Sequence, residues 1–288
     1  MERDSLQRFL FENTAVRGNA VHLNITLNQA LQYHNYPAPL RTLLGELMAA
    51  SALLSATLKM EGVLIIQIQG KGPLKLLVVE CTNDLGIRAT AKWSGHLPDD
   101  FKLMIGDGRC AITIDPKGGD AYQGIVPIDG ESIVEMLEGY MLRSQQIETR
   151  LWLDCDGENA AGMLLQKLPE QPEQDEDAWN RICILADTVT KEELQMLSPE
   201  TLLTQLFGEE DVRLFSPRPT QFYCGCTRNK VANMLYMLGK DELEDILKER
   251  DKIEVNCDFC NKQYLFDAID AAALLTAEPV IVAGQSVH

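Results

Sequence analysis

Four of the eight cysteines form two short pairs near the C-terminal end of this 288-residue chain. Cys224 and Cys226 make the first pair, and Cys257 and Cys260 make the second. Four thiolates can bind one Zn²⁺ tetrahedrally, with Zn–S distances of about 2.3 Å. Gly225 permits the tight backbone that closely spaced ligands need. Because no histidine is near either pair in the sequence, we predict one all-sulfur zinc site formed by these four cysteines.

The segment that carries the pairs, residues 224–288, is short for an independent domain. A chain of roughly 60 residues buries too little apolar surface to fold with a comfortable margin. In small zinc domains the metal supplies on the order of 10 kcal/mol of folding free energy. We therefore expect this segment to be a small zinc-binding module that unfolds when the metal is lost.

The residues alone leave three interpretations of the cysteines open. A structural zinc-ribbon binding module is the first, although a ribbon that binds nucleic acid is usually basic and this segment is acidic. A thiol-disulfide oxidoreductase is the second, but its Cys-x-x-Cys motif should follow a strand and open a helix in a βαβ unit, which is not evident here. A redox switch is the third, because zinc keeps cysteines as thiolates, the oxidisable form, while shielding them.

A redox switch at this site has a definite chemical outcome. Oxidation could close disulfides within the pairs, Cys224–Cys226 and Cys257–Cys260, because each sulfur has a partner nearby in the sequence. Either disulfide removes metal ligands, so zinc and its folding free energy would be lost together. The protein would then become less folded when it is oxidised.

The other four cysteines are scattered along the chain: Cys81, Cys110, Cys155 and Cys183. We expect them to pack as small apolar side chains. Among these four, Cys183 is the best candidate for incidental oxidation, because it falls in a segment predicted to be mobile. Since neither a nucleophilic triad nor paired catalytic carboxylates are legible, we expect a protein that is not an enzyme.

The charge balance argues against two classes of partner. The chain has 26 Lys and Arg against 43 Asp and Glu, a net charge of −17. Nucleic acids and anionic membranes repel such a surface, so we expect neither as a partner. The sequence has neither a long apolar run nor a signal-peptide pattern at its N-terminus. These features favour a soluble cytoplasmic protein.

Hydrophobic periodicity predicts an α+β core domain over residues 1–168. A helix is predicted from Pro39 to about Lys59, and a second one from about Glu131 to Arg143. Period-2 alternation predicts strands with hairpin spacing, for example at Leu64, Ile66 and Ile68. Because the strands outnumber the helices and are not separated by them regularly, the sheet is expected to be largely antiparallel.

Residues 169–223 are predicted to form an acidic helical linker region that rests on other surfaces. Its first part, 169–177, is polar and acidic, and is expected to be exposed and mobile. A capping-box pattern begins at Thr190, and Ser198 precedes a proline in the pattern of a second helix start. The zinc-binding module, 224–288, follows.

Several short motifs together are typical of one protein family. They are FYCGC at 222–226, NCDFC at 256–260, YLF at 264–266, FEN at 11–13, VRG at 16–18, YQG at 122–124 and GMLLQ at 162–166. With these motifs the chain resembles the heat shock protein 33, or 33 kDa chaperonin, family of redox-regulated molecular chaperones. The resemblance extends over nearly the whole chain.

The resemblance implies a mechanism as well as an architecture. It implies an α+β core, a regulatory linker and a C-terminal module that holds one Zn²⁺ per chain in a reduced, inactive monomer. Oxidation to two disulfides would release the zinc, unfold the module and destabilise the linker. The oxidised form would then be an ATP-independent holdase, usually a homodimer, that binds unfolding client proteins and prevents their aggregation.

Overall fold

The computed structural model describes residues 4–59, 61–169, 175 and 177–276. The strands of these residues are β1 (Ser5–Phe11), β2 (Val16–Leu23), β3 (Gly62–Gly70), β4 (Leu74–Thr82), β5 (Gly86–Trp93), β6 (Gly108–Pro116), β7 (Tyr122–Pro127), β8 (Thr149–Cys155), β9 (Ala160–Lys167), β10 (Val212–Leu214), β11 (Arg218–Pro219), β12 (Gln221–Phe222), β13 (Lys252–Asn256) and β14 (Gln263–Asp267). The helices are α1 (Ile25–Leu31), α2 (Ala38–Ser55), α3 (Phe101–Ile105), α4 (Ile133–Tyr140), α5 (Ala178–Ala186), α6 (Lys191–Met196), α7 (Pro199–Leu206), α8 (Arg228–Leu238), α9 (Lys240–Glu249) and α10 (Ala268–Thr276). A π-helical turn, Met141–Gln145, follows α4.

Two six-stranded sheets form the larger part of the molecule. Sheet A has the order β10-β1-β2-β9-β8, with β11 also pairing with β1, and all its pairs are antiparallel. Sheet B has the order β12-β5-β4-β3-β6-β7, and only the short pair between β12 and β5 is parallel among its described strands. The predicted α+β class with largely antiparallel pairing is confirmed, but there are two sheets where the sequence suggested one.

Helix α2 lies between the two sheets and is buried on nearly every side. It contacts strands of both sheets, which explains why 13 of its 18 residues are buried. It begins after Pro37, whereas the prediction began it at Pro39, and it ends at Ser55 rather than Lys59. A helix that is apolar all round needs apolar neighbours all round, and α2 therefore fixes how the sheets face each other.

The inner face of sheet B follows the predicted alternation. Leu64, Ile66 and Ile68 of β3 are buried, and so are Ile87 and Ala89 of β5. The residues of β4 and β5 that point away from this core include Glu80 and Arg88, which are register partners across the two strands. One face of sheet B therefore belongs to the main apolar core, and the other is free to carry a different contact.

The described part of the predicted linker region packs on the outer face of sheet A. Side chains of β1 meet apolar side chains of α7 and the residue after it, and Phe11 and Phe207 are in edge contact at 4.9 Å. The segment then adds β10 and β11 to sheet A and β12 to sheet B. The stretch predicted to be mobile, 169–177, lies largely outside the described residues.

As far as Thr276, the C-terminal module has its own small two-stranded sheet and three helices. The β13–β14 hairpin packs with α8, α9 and α10 around a cluster of eight buried residues. Within the described residues, every helix is too short or too polar to cross a lipid bilayer.

Candidate metal centre

The four predicted ligands come from two turns of the chain. Cys224 and Cys226 lie between β12 and α8, whose first turn is capped by the side chain of Thr227. Cys257 and Cys260 lie in the turn that joins β13 to β14. That turn is tight because Asn261 adopts a left-handed conformation, φ 52°, and its N–H donates to the carbonyl of Cys257 at 2.8 Å.

The structure brings all four sulfur atoms together. They lie within 4.8 Å of one another, with separations of 3.7 Å between Cys224 and Cys257 and 3.4 Å between Cys226 and Cys260. A tetrahedral site with Zn–S bonds of about 2.3 Å has sulfur–sulfur edges of roughly 3.8 Å. The four cysteines could therefore hold one metal ion with little movement of their side chains.

Hydrogen bonds among the sulfurs shift the pKa values of Cys224 and Cys257 in opposite directions. The contact with Cys257 is the main cause that lowers the pKa of Cys224, and the same contact raises the pKa of Cys257. Burial raises the pKa of Cys260. The Tyr264 hydroxyl donates to the Cys226 sulfur at 3.2 Å, which raises the pKa of Tyr264. Because a metal binds thiolates, ligation must displace the protons that these sulfurs share.

The remaining four cysteines lie away from this centre. Cys81, Cys110, Cys155 and Cys183 are all buried, as predicted for small apolar side chains. Burial raises the pKa to about 12 in the first three and to about 11 in Cys183. Cys183 lies in α5 and is buried, but its pKa is raised less than those of the other three, so its place as the best candidate for incidental oxidation stays a prediction.

Sequence reasoning missed one neighbour of the centre, Arg88 of β5. Its Nη1 lies 3.7 Å from the sulfur of Cys224. Arg88 alternates with Ile87 and Ala89, which are buried, and this pattern indicates that Arg88 points away from the core, but nothing in it says what covers that face. A contact between residues so far apart in the chain is visible only in the fold.

Comparisons with known proteins agree with the motif-based resemblance. A family profile described as "Hsp33 protein" matches residues 4–267. The chain is 60% identical to the 33 kDa chaperonin of Methylobacillus flagellatus, covering 99% of this chain and 98% of that one. It is 45% identical to the 33 kDa chaperonin of Nitrosococcus oceani, covering 96% of each.

A solved structure gives the same result for the fold. The crystal structure of the 33 kDa chaperonin (heat shock protein 33 homolog) of Thermotoga maritima superposes with a TM-score of 0.83 at 25% identity. The match covers 95% of this chain and 98% of that chain. The likeness therefore extends over nearly the whole chain.

Proposed function

This chain belongs to the Hsp33 family of chaperones, and we propose that it is a redox-regulated, ATP-independent holdase. In the reduced state, Cys224, Cys226, Cys257 and Cys260 hold one Zn²⁺ and the protein is inactive. Oxidation releases the zinc, unfolds the C-terminal module and the linker, and exposes apolar surface. That surface binds unfolding or oxidatively damaged client proteins and prevents their aggregation.

One observation carries this proposal: four sulfurs converge in the part of the molecule that has the smallest apolar core. Among the residues that the structure describes, the module buries eight apolar residues, whereas the main core cluster contains 44. Burial of eight side chains offsets little of the conformational entropy of a module of this length. Metal ligation is then the main source of its folding free energy, and the same sulfurs that bind the metal are its oxidisable groups.

The proposed oxidation involves two disulfides, Cys224–Cys226 and Cys257–Cys260. For each disulfide, two thiolates give two electrons to one hydrogen peroxide molecule, which takes up two protons and leaves as two water molecules. Zn²⁺ departs once its ligands are lost. In the folded module two close sulfur contacts, at 3.7 Å and 3.4 Å, run between the pairs. Closure within the pairs is expected because sequence neighbours meet most often once the module loosens.

Unfolding of the module would act on the linker through the short strand next to the first cysteine pair. β12 connects the module to β5, and the linker helices α5–α7 cover apolar side chains on sheet A. If β12 detaches from β5, the linker loses one of its attachments to the core, and α5–α7 are held less firmly over Phe9 and Phe11. Release of α5–α7 would uncover an apolar patch of the kind that binds other unfolded chains.

Charge and compartment fit the same proposal. The net charge of −17 would limit self-aggregation of a form with exposed apolar surface. We assign the protein to the cytoplasm, where a reducing environment keeps the four cysteines available to zinc until oxidative stress. The oxidised form is proposed to be a homodimer, with unfolding client proteins as partners and neither nucleic acid nor membrane involved.

The decisive experiment follows zinc release and chaperone activity in one peroxide titration of the reduced protein. We expect one zinc per chain at the start, and suppression of thermal aggregation of a model client that rises in step with zinc release. Peptide mapping should find the two disulfides within the pairs. Zinc retained at full activity would rule out the switch, and turnover in an insulin-reduction assay would instead indicate a thiol oxidoreductase.

A further inference from the structure

Arg88 of β5 joins sheet B of the core to both cysteine turns of the module. Its Nε and Nη2 donate to Glu80 Oε2 at 2.9 and 2.6 Å. Its Nη1 lies 3.7 Å from the sulfur of Cys224, in the first turn. Its guanidinium carbon lies 4.1 Å from the ring centroid of Phe259, which is between the two cysteines of the second turn.

Neighbouring contacts hold the same two surfaces together. Lys92, on the same face of β5, lies 3.0 Å from the carboxylate of Asp258. His34 Nε2 lies 2.8 Å from the backbone carbonyl of Asp258. The Lys92 pair is about 60% exposed and is therefore weak, whereas Arg88 and Glu80 are 21% and 18% exposed. Arg88 is thus the best-shielded charged contact described between β5 and the cysteine turns.

From this geometry we infer that Arg88 is a positioning residue of the metal centre, supplied by the core. The inference rests on the proposed zinc site. Four thiolates around one Zn²⁺ leave an excess of negative charge, which a neighbouring guanidinium stabilises. A hydrogen bond to the Cys224 sulfur also withdraws electron density from it and makes it a poorer nucleophile toward peroxide. Stacking on Phe259 holds the second turn in place.

Arg88 therefore slows oxidation of the cysteines, and it makes the contact between the module and sheet B depend on whether the metal is bound. In the reduced protein the guanidinium is fixed by Glu80, so its charge and its fork are already oriented toward the sulfur. When the thiolates become disulfide sulfur and zinc leaves, Arg88 loses the negative partner that held the module against β5. Oxidation thus weakens the module's own fold and its docking to the core together.

A purely structural role for Arg88 predicts something different. Glu80 and Arg88 are directly opposite each other on antiparallel strands, and such opposite-charge pairs stabilise a sheet by themselves. If Arg88 acted only through the sheet, loss of either partner would have the same effect on the metal centre. Glu80→Gln removes the charge of the cross-strand ion pair but keeps an oxygen that can accept from the Arg88 guanidinium. The guanidinium therefore stays beside Cys224, and the two roles can be separated.

The test measures zinc release from the reduced, zinc-loaded, full-length protein at a fixed peroxide concentration, with a chromogenic zinc chelator. We expect Arg88→Met to release zinc about tenfold faster than the wild type, the change that loss of a charge-assisted hydrogen bond produces. Arg88→Lys keeps the charge but not the fork or the stacking, and should be about threefold faster. Glu80→Gln should change the rate by less than about twofold.

Arg109→Met is the matched control, because Arg109 lies on β6 of the same sheet and donates to Gln69 rather than to the module. Its zinc release should equal that of the wild type. An Arg88→Met rate equal to the wild type, or equal to that of an accelerated Glu80→Gln, would overturn the inference. If Arg88→Met does not fold, a wild-type rate for Arg88→Lys would overturn it.

Failure of the proposed switch gives a different result. A wild-type protein that contains no zinc, or keeps its zinc under peroxide, would refute the switch itself. A wild type that releases zinc on oxidation, with Arg88 variants that release it at the same rate, would leave the switch standing and remove only the role of Arg88.

Discussion

The core and the C-terminal module differ in what could keep each of them folded. The core cluster runs from sheet A through α2 to sheet B without interruption, and its larger side chains, such as Leu44 and Met48, are fully buried. The described part of the module has eight buried residues in its apolar cluster and four converging sulfurs. Burial cannot be reversed by a change of redox state, but ligation by thiolates can. A molecule built this way can lose one region and keep the other.

Removal of the metal is the strongest test of that comparison. Chelation of zinc in the reduced protein, or Cys226→Ser, should cost the module on the order of 10 kcal/mol and unfold it. Amide hydrogen exchange should lose protection in β13 and β14 and retain it in β3 and β4. Cys110→Ala, at a buried cysteine of the core, is the control and should keep the zinc. Protection of β13 and β14 that persists without metal would contradict the comparison.

A cavity in the core tests whether destabilising the core leaves the module unaffected. Leu44 of α2 is 0% exposed, so Leu44→Ala should lower the free energy of core unfolding by about 3 kcal/mol. The three tryptophans all precede residue 180, so their fluorescence in urea reports on the core and linker alone. Zinc content should be unchanged.

The control for the cavity is Leu103→Ala, because Leu103 is 67% exposed. It should shift the urea midpoint little. If Leu44→Ala released zinc while the protein was still folded, the module would depend on the packing of the core, and the two regions would not be independent.

Much of the division into a core and a cysteine-containing C-terminal module could be predicted from the sequence. The spacing of Cys224, Cys226, Cys257 and Cys260 indicated one site because ligand spacing is a local property. Strand β3 of sheet B was predicted because Leu64, Ile66 and Ile68 are buried in the core while the residues between them are less buried, which produces a clean alternation.

Sheet A was harder to predict because both of its faces are covered. Strands β1 and β2 have apolar residues on both faces, and polar Gln7, Asn19 and His22 are buried among them. Their alternation is blurred, and the prediction missed both strands. The contact of Arg88 with Cys224 was missed for another reason: it depends on how two separate elements dock, which no window of sequence contains.

A third test compares how pH changes the stability of the core and the metal binding of the module, which should respond in opposite directions. Burial, with a smaller contribution from Asp154, raises the pKa of Glu46 in α2 from 4.5 to about 7, against the influence of Lys191. Because the folded state favours the protonated form, this stabilisation is complete below pH 4.5 and is lost as the pH rises through about 7. The core should lose about 2 kcal/mol of its unfolding free energy from this group between pH 5 and pH 8.

The module should respond in the other direction, because acid protonates the thiolates and weakens metal binding. Glu46→Gln should flatten the pH dependence of core unfolding, measured by tryptophan fluorescence in urea at pH 5 and pH 8. Asp107→Asn is the control, since Asp107 is an exposed carboxylate of the core. A wild-type slope retained in Glu46→Gln would exclude Glu46 as the source.

The smallest expected effect concerns the linker. The linker packs on the core, but in the proposed function it unfolds together with the module. The hydroxyl of Thr190 accepts from the Glu193 N–H, and the Glu193 carboxylate accepts from the Thr190 N–H, which together form a capping box for α6. Thr190→Ala removes the cap and should raise amide exchange within α6 about fivefold. Thr204→Ala, in the middle of α7, is the matched control and should change exchange little.

The response of β13 and β14 to Thr190→Ala then decides where the linker belongs. α6 packs against β8 and β9 of sheet A, and the Gln195 side chain donates to the Asp154 carbonyl at 3.0 Å. If the linker is part of the core, loosening of α6 leaves exchange in β13 and β14 and the zinc content unchanged. If their exchange rises in step with that of α6, the linker and the module unfold as one cooperative unit. The boundary between the region that stays folded through burial and the region that unfolds when the metal is lost would then lie before α5 rather than at Cys224.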